Sequence, residues 1–291
     1  MIPAAFDYAC PTSADEAVRL LAECGEEAKV LAGGQSLLPM LRRRAASPRL
    51  VIDVNRVPRL RGVREEAGSL VIGAMTTHHD VIHDESVRRR APLLVMATET
   101  VGDPAVRHRG TVGGSAAHGD PAGDLPPVML ALNAVMVSQG PRGRRAVPAA
   151  DFFVDRMVTA LAADELLVGI RVPVLGEGWG FHYEKFRPSA QATTWVGVAA
   201  AVRRESGSIV EARIGLANMG ATPLRASAAE AALAGADATE DAVARAAGTA
   251  ARGTSPMSCP SAPSEYRAHL ARVLTRRAVL AAAGITGRNA A

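Results

Sequence analysis

Cysteine, lysine and long apolar runs are what this chain has least of. Its 291 residues hold three cysteines, Cys10, Cys24 and Cys259. Few, odd in number and scattered, they argue against a disulfide framework, a zinc site or an iron–sulfur cluster held by this chain alone. No apolar stretch reaches the roughly 18 residues of a membrane-spanning helix, and Met1-Ile2-Pro3 lacks the basic and apolar regions of a signal peptide. The expectation is a cytoplasmic protein with no membrane span. Lysine occurs twice, at Lys29 and Lys185, so the net charge of +4 rests on arginine and reads as compositional bias. The Arg42-Arg43-Arg44 and Arg88-Arg89-Arg90 runs have no interleaved aromatics and no recognition helix. They read as solvated helix ends, and no nucleic-acid partner is expected. A nucleophile–base constellation is also missing.

Against these absences stand two related glycine segments. In Leu31-Ala32-Gly33-Gly34-Gln35-Ser36-Leu37 a short apolar strand ends in two glycines and a hydroxyl, then resumes as a helix-like run. Gly110-Thr111-Val112-Gly113-Gly114-Ser115 repeats the pattern of small residue, Gly-Gly and hydroxyl. Adjacent glycines reach positive φ and carry no Cβ, so successive N–H groups can turn toward a phosphate. Two such loops could hold the two halves of a pyrophosphate. Either segment alone is also an ordinary turn.

The length suits two or more domains. Ser13-Ala14-Asp15-Glu16 is a capping box for a helix with an Ala17, Leu20, Leu21, Cys24 stripe that Gly25 ends. A strand at 29–31, a short helix from Leu37 to Arg43 and a strand at 50–53 complete a βαβ-like unit. Strands at 70–74, 134–137 and 166–170, separated by helical segments, make the next region α+β. A helix starting near Thr77 carries His79 and His83 on one face. Without a carboxylate base in an H-E-x-x-H pattern, that face reads as polar surface rather than a metal site. Asp124 stands like an N-cap ahead of Pro126 and Pro127; capping and contact with a ligand are both open to it. The three glycines between Pro173 and Gly180 mark the best boundary. Beyond it come strands at 180–186, 195–203 and 209–218, short alanine-rich helices, and a final helix capped by Ser264.

With Gly73-Ala74-Met75-Thr76-Thr77, Asp120-Pro121-Ala122-Gly123-Asp124, Tyr183-Glu184-Lys185-Phe186 and Glu265-Tyr266-Arg267 in this order, nearly the whole chain resembles the FAD-binding medium subunit of molybdenum hydroxylases. This is the family of carbon monoxide dehydrogenase and xanthine dehydrogenase flavoproteins. The resemblance implies an α+β fold. A two-subdomain FAD-binding domain of the vanillyl-alcohol oxidase-like (PCMH) type spans residues 1–175, with subdomains of about 1–55 and 56–175. A smaller α+β domain of antiparallel sheet plus helices follows at 176–291 and closes over the flavin.

It further implies non-covalent FAD held by Ala32, Gly33, Gly34, Gln35, Ser36 and Leu37 and by Gly110, Thr111, Val112, Gly113, Gly114 and Ser115. Thr76, Asp120, Asp124, Leu167 and Lys185 join this set, Lys185 matching a basic position at the domain junction; Lys185 and Trp195 are candidates near the flavin, with a core tryptophan as the alternative for Trp195. Molybdopterin and [2Fe-2S] clusters would sit on a large and a small partner subunit of a heterotrimer. FAD would relay electrons from those clusters to NAD or another acceptor. Gln35 and Ser115 stand where carbon monoxide enzymes often have histidine and asparagine, which weighs against that substrate. The 188–195 segment lacks the Asp-Tyr or Asp-Ile pair that relatives often show, which keeps open a stand-alone flavin oxidase or dehydrogenase with its own small substrate. A non-enzymatic nucleotide-binding scaffold is the third alternative.

Overall fold

A computed structural model describes residues 2–189 and 192–285. The first unit contains the predicted helices and strands and adds one strand, β1, that the sequence did not signal. It comprises β1 (Asp7–Ala9), α1 (Ala14–Cys24), β2 (Ala28–Leu31), α2 (Leu37–Arg42) and β3 (Leu50–Asp53), with the strands parallel in the order β1-β3-β2. Ser13 Oγ accepts the Glu16 N–H at 3.2 Å, while the Glu16 carboxylate takes the Thr12 N–H at 2.9 Å, one residue before the expected cap. Ala17, Val18 and Leu21 of α1 are buried on the sheet, and Gly25, at φ 55°, ends the helix. The Arg42–Arg44 run is the exposed end of α2.

In the second unit β4 (Val63–Glu66) and β5 (Ser69–Gly73) precede six helices. These are α3 (His78–His83), α4 (Glu85–Arg90), α5 (Pro92–Glu99), α6 (Pro104–Arg109), α7 (Val112–His118) and α8 (Leu125–Ala131). Then follow β6 (Val135–Gly140), β7 (Gly143–Pro148), the single turn α9 (Ala149–Phe152), the small β8 (Phe153–Asp155) and β9 (Val158–Thr159) ladder, and β10 (Leu166–Pro173). The main sheet is antiparallel in the order β4-β5-β10-β6-β7. Its central β5 and β10 are the apolar runs visible in the sequence. The edges, Val63-Arg64-Glu65-Glu66 and Gly143-Arg144-Arg145-Ala146, carry the charge that shields a free edge and so show no hydrophobic signature.

The third unit is a sheet of β11 (Trp179–Phe186), β12 (Val196–Glu205), β13 (Ser208–Ala217) and β14 (Leu224–Arg225), backed by α10 (Ser227–Leu233), α11 (Glu240–Ala247) and α12 (Ser264–Ala282), with β15 (Ala236–Asp237) beside β13. The β12–β13 hairpin turns at Ser206 and Gly207, both at positive φ (49° and 86°). Contrary to expectation, Ser264 does not cap α12. Pro263 occupies the cap position, its ring already near helical φ, and no side chain bonds the first turn.

The two faces of β12 explain the docking of this unit. Val196, Val198, Ala200 and Val202 pack toward α12, whereas Ala199 and Ala201 join the core of the second unit. On that second face a Cβ at Gly215 would overlap the Pro127 carbonyl of α8. Small residues thus let helices of the second unit lie directly on the sheet. No helix among the described residues is long and apolar enough to cross a membrane.

Candidate functional site

The first and second units enclose a cavity of about 840 Å³. Both glycine segments border it, with Met75 and His78 between them and the 157–167 stretch on the far wall. Of the residues the resemblance points to, Ala32 to Leu37, Gly110, Thr111, Gly113 to Ser115, Asp120 and Leu167 line this cavity. Thr76, Val112, Asp124, Lys185 and Trp195 do not.

The first segment leaves its backbone donors free. Gly34 sits at φ 76°, in the region glycine favours. The N–H groups of Gly33, Gly34, Gln35, Ser36 and Leu37 find no acceptor among the described residues, while Leu38 N opens the helix by donating to Gly34 O at 3.1 Å. Two side-chain amides hold the carbonyls instead. Asn55 Nδ2 donates to Ala32 O at 2.9 Å, and Gln35 Nε2 folds back to Gly33 O at 3.3 Å. Behind Asn55, Asp53 accepts from the Asn55 N–H at 2.9 Å and from the Tyr8 hydroxyl at 2.7 Å. Burial pushes the Asp53 carboxyl up, but the Asn55 N–H, the Tyr8 hydroxyl, the Asn55 amide and the Arg109 charge outweigh it, so it titrates below the usual range. Tyr8 is pushed up to about 12, first by its bond to Asp53.

The second segment is wired differently. Thr111 is the N-cap of α7, so Val112, Gly113, Gly114 and Ser115 form the first turn of a helix rather than a loop. Val112 N donates to Thr76 O (3.1 Å), Gly113 N to Ala74 O (2.9 Å), Gly114 N to Thr111 Oγ1 (3.1 Å) and Ser115 N to Thr111 O (3.0 Å). All four N–H groups are taken, so residues 112–115 offer no row of free donors like that at 33–37. What these glycines provide is close approach. A Cβ at Gly113 would fall on Ala74, one at Gly33 on the Arg109 carbonyl, and one at Gly114 on Thr111 Oγ1.

Thr76 and Val112 serve this joint, Thr76 through its carbonyl and through Oγ1, which donates to Gly62 O at 3.1 Å. His78 sits under Gly110 and is 5% exposed, with Nδ1 lacking a partner. Burial, then the Arg107 charge, lowers its pKa to about 4, so the ring is neutral. His79 stacks on His108 at a ring-centroid distance of 3.9 Å and meets His83 at a tilt, at 4.2 Å. Among the described residues no three histidine, cysteine or acidic side chains are placed to hold a metal.

Asp124 occupies the N-cap position of α8, but its side chain bonds none of the helix's N–H groups. Its carboxylate turns toward the third unit and accepts from Lys185 Nζ (2.8 Å), Tyr183 Oη (2.8 Å) and Thr194 Oγ1 (3.2 Å). The Asp124 and Lys185 side chains are both 8% exposed. Lys185 also donates to Thr100 O at 2.9 Å, and burial, then the Asp124 charge, raises the Tyr183 hydroxyl well above its ordinary value. Trp195 packs between Phe186 and Tyr266 and passes its carbonyl to the buried Arg267. Of the two residues expected near the flavin, Lys185 joins the second and third units through Thr100 and Asp124, and Trp195 packs within the third unit. Ala190 and Gln191 of the altered segment lie outside the described residues.

Sequence reasoning missed Asn55, Arg61, His78 and the 157–165 wall. Asn55 carried a usable signal, since it follows the carboxyl end of β3, where parallel sheets place ligand contacts. The wall gave none, because its short strands have no periodicity.

A long cavity, a run of unpaired backbone N–H groups and glycine contacts with no room for a Cβ suit a dinucleotide. Residues 4–175 match the FAD binding domain in molybdopterin dehydrogenase, and residues 181–282 the CO dehydrogenase flavoprotein C-terminal domain. The carbon monoxide dehydrogenase medium chain of Hydrogenophaga pseudoflava is 42% identical over 97% of this chain and 98% of its own. The nicotine 6-hydroxylase medium subunit of Paenarthrobacter nicotinovorans is 35% identical over 97% and 99%. Among solved structures, carbon monoxide dehydrogenase from H. pseudoflava superposes with a TM-score of 0.94 at 45% identity, covering 97% of this chain and 98% of that one. Quinoline 2-oxidoreductase from Pseudomonas putida 86 gives 0.93 at 34%, covering 98% and 99%. The chain belongs to the family of FAD-binding medium subunits of molybdopterin dehydrogenases.

Proposed function

We propose that the cavity between the first and second units holds FAD without a covalent link, its pyrophosphate lying on the N–H row of residues 33–37. That row carries the reading: five successive donors without acceptors among the described residues border a cavity large enough for a dinucleotide. Ala32 to Leu37 bind, while Gly110 to Ser115 set the width of the slot. Asp120 and Leu167 close it against water, and Thr76 braces it from behind. Asp124 and Lys185 act one layer away, tying the loop that bears Asp120 to the third unit. Bound FAD supplies exchange between single-electron and electron-pair carriers.

The function proposed is electron relay within a complex. An iron–sulfur small subunit delivers electrons, a molybdopterin large subunit oxidises the substrate, and NAD or another acceptor receives the electrons. Relatives named as medium chains and medium subunits support this assembly. Identities of 42% and 35% to chains named for carbon monoxide and nicotine enzymes leave the substrate to the large subunit. The proposed division into 1–175 and 176–291 is supported by the two matched ranges, and the subdomains of about 1–55 and 56–175 by their separate sheets.

Affinity purification of the tagged full chain from its native host tests the relay. The expected product is yellow, carries about one FAD per chain, and brings iron and molybdenum with it. A chain that arrives alone and oxidises a small substrate with oxygen or a dye would support the stand-alone reading instead.

A further inference from the structure

The Ala32–Gly33 peptide is planar and trans, so the Ala32 carbonyl and the Gly33 N–H point in opposite directions. Whatever holds that carbonyl therefore aims the first donor of the N–H row. The holder is Asn55, which does not itself line the cavity.

The orientation of the Asn55 amide is fixed on every side. Nδ2 donates to Ala32 O at 2.9 Å and to Asp53 Oδ1 at 2.7 Å, and Oδ1 accepts from Arg61 Nη2 at 3.1 Å. Flipping the amide would face its oxygen toward two acceptors and its nitrogen toward a guanidinium. Arg61 in turn donates through Nη1 to Met75 O at 3.3 Å, and Met75 itself lines the cavity. Met75 leads into Thr76, whose carbonyl receives Val112 N. A continuous hydrogen-bonded path thus runs from Tyr8 through Asp53, Asn55 and Arg61 to the wall that carries the second glycine segment.

We propose that Asn55, backed by Arg61, is a positioning residue that turns the Gly33 N–H into the cavity and sets the gap between the two glycine segments. The proposal rests on the reading that FAD lies on residues 33–37. Asn55 touches no ligand; it acts through the Ala32–Gly33 peptide and through Met75.

The test is FAD affinity of the full chain stripped of flavin, read by quenching of flavin fluorescence, alongside its thermal midpoint. Asn55→Leu, which keeps the size and removes the bonds, is expected to raise the Kd at least tenfold while the midpoint falls by only a few degrees. Asn55→Asp is expected to be worse, because its carboxylate faces Asp53 and the Ala32 carbonyl. Arg61→Met, at an exposed position, should weaken binding severalfold and keeps the test open if Asn55→Asp does not fold. Ser36→Asp is the reference. Ser36 is exposed and has no side-chain partner among the described residues, so an added carboxylate there repels a phosphate without touching the fold. If Ser36→Asp weakens binding while the Asn55 and Arg61 variants stay within twofold of wild type, the positioning role is overturned and the cradle stands. If Ser36→Asp binds FAD like wild type, the cradle reading falls and the proposal with it.

Discussion

The two glycine segments look alike in sequence and do opposite work in the fold. Residues 33–37 keep five N–H groups unpaired at the cavity, whereas residues 112–115 spend all four of theirs on Ala74, Thr76 and Thr111. The difference comes from what precedes each. The first segment leaves a parallel strand, β2, and has no neighbouring strand beyond Leu31 to consume its donors. The second follows α6 and runs straight into α7, pressed against the Ala74–Thr76 backbone. A Gly-Gly-hydroxyl motif therefore marks close approach in both places and donor supply in only one.

The largest expected effect tests whether the resemblance or the geometry describes Lys185 better. Lys185→Met leaves the Asp124 carboxylate buried without its cation, which costs about 3–5 kcal/mol, and the full chain should show this in chemical denaturation. The Asp124→Leu, Lys185→Met double variant should recover part of the loss. If Lys185 instead works on the flavin, the single variant would lower FAD affinity without a matching loss of stability. Next comes Gly113→Val. Its branched side chain would fall on the Ala74 backbone and should cost about 3 kcal/mol. The prediction is poor folding, with flavin loss in step with unfolding. A well-folded Gly113→Val protein that merely fails to bind FAD would return the second segment to the role its sequence suggests.

The elements most legible in the sequence were those that bury apolar residues. The α1 stripe shows by its helical period, and β5, β10 and β12 by near-continuous apolar runs buried on both faces. β1, β4 and β7 did not, because edge strands keep charged or exposed positions that erase alternation. At the site, the glycines were legible because they need backbone freedom. Which of them kept free donors was not, since that depends on Ala74 and Thr76, almost forty residues away in the chain. Asp124 shows the same limit: its spacing from Pro126 reads as a cap, yet its partners are Lys185, Tyr183 and Thr194 of the third unit.

His78 lets the joint under Gly110 be probed by pH. In the fold its pKa is about 4, against an ordinary value of 6.5, because burial and then Arg107 disfavour the charged ring. The unfolded chain takes up a proton as pH falls below 6.5 while the folded chain does not until about 4. The contribution is thus fully present above 6.5 and lost on acidification, by roughly 3 kcal/mol across that window. His78→Gln should flatten this part of the stability profile. Subtracting the variant's profile from that of wild type removes groups such as Asp53 that lose stability in the same direction. An unchanged slope would mean that the ring is protonated in the fold and that the Gly110 joint is looser than its packing indicates.

The smallest effect is the most discriminating. Thr111 is the one residue of the second segment with two possible jobs: its hydroxyl accepts the Gly114 N–H and its residue borders the cavity. Thr111→Val keeps the shape and the extended backbone of the cap, at φ −120° and ψ 151°, and removes only the oxygen. Loss of an N-cap costs about 1 kcal/mol, so the thermal midpoint should drop by a few degrees. The substitution also leaves the Gly114 N–H, on a residue that lines the cavity, without its acceptor. FAD affinity should then stay within about threefold of wild type. If affinity falls tenfold or more at the same loss of stability, the hydroxyl itself meets the cofactor. The two glycine segments would then divide the phosphate between a backbone cradle and a side-chain one.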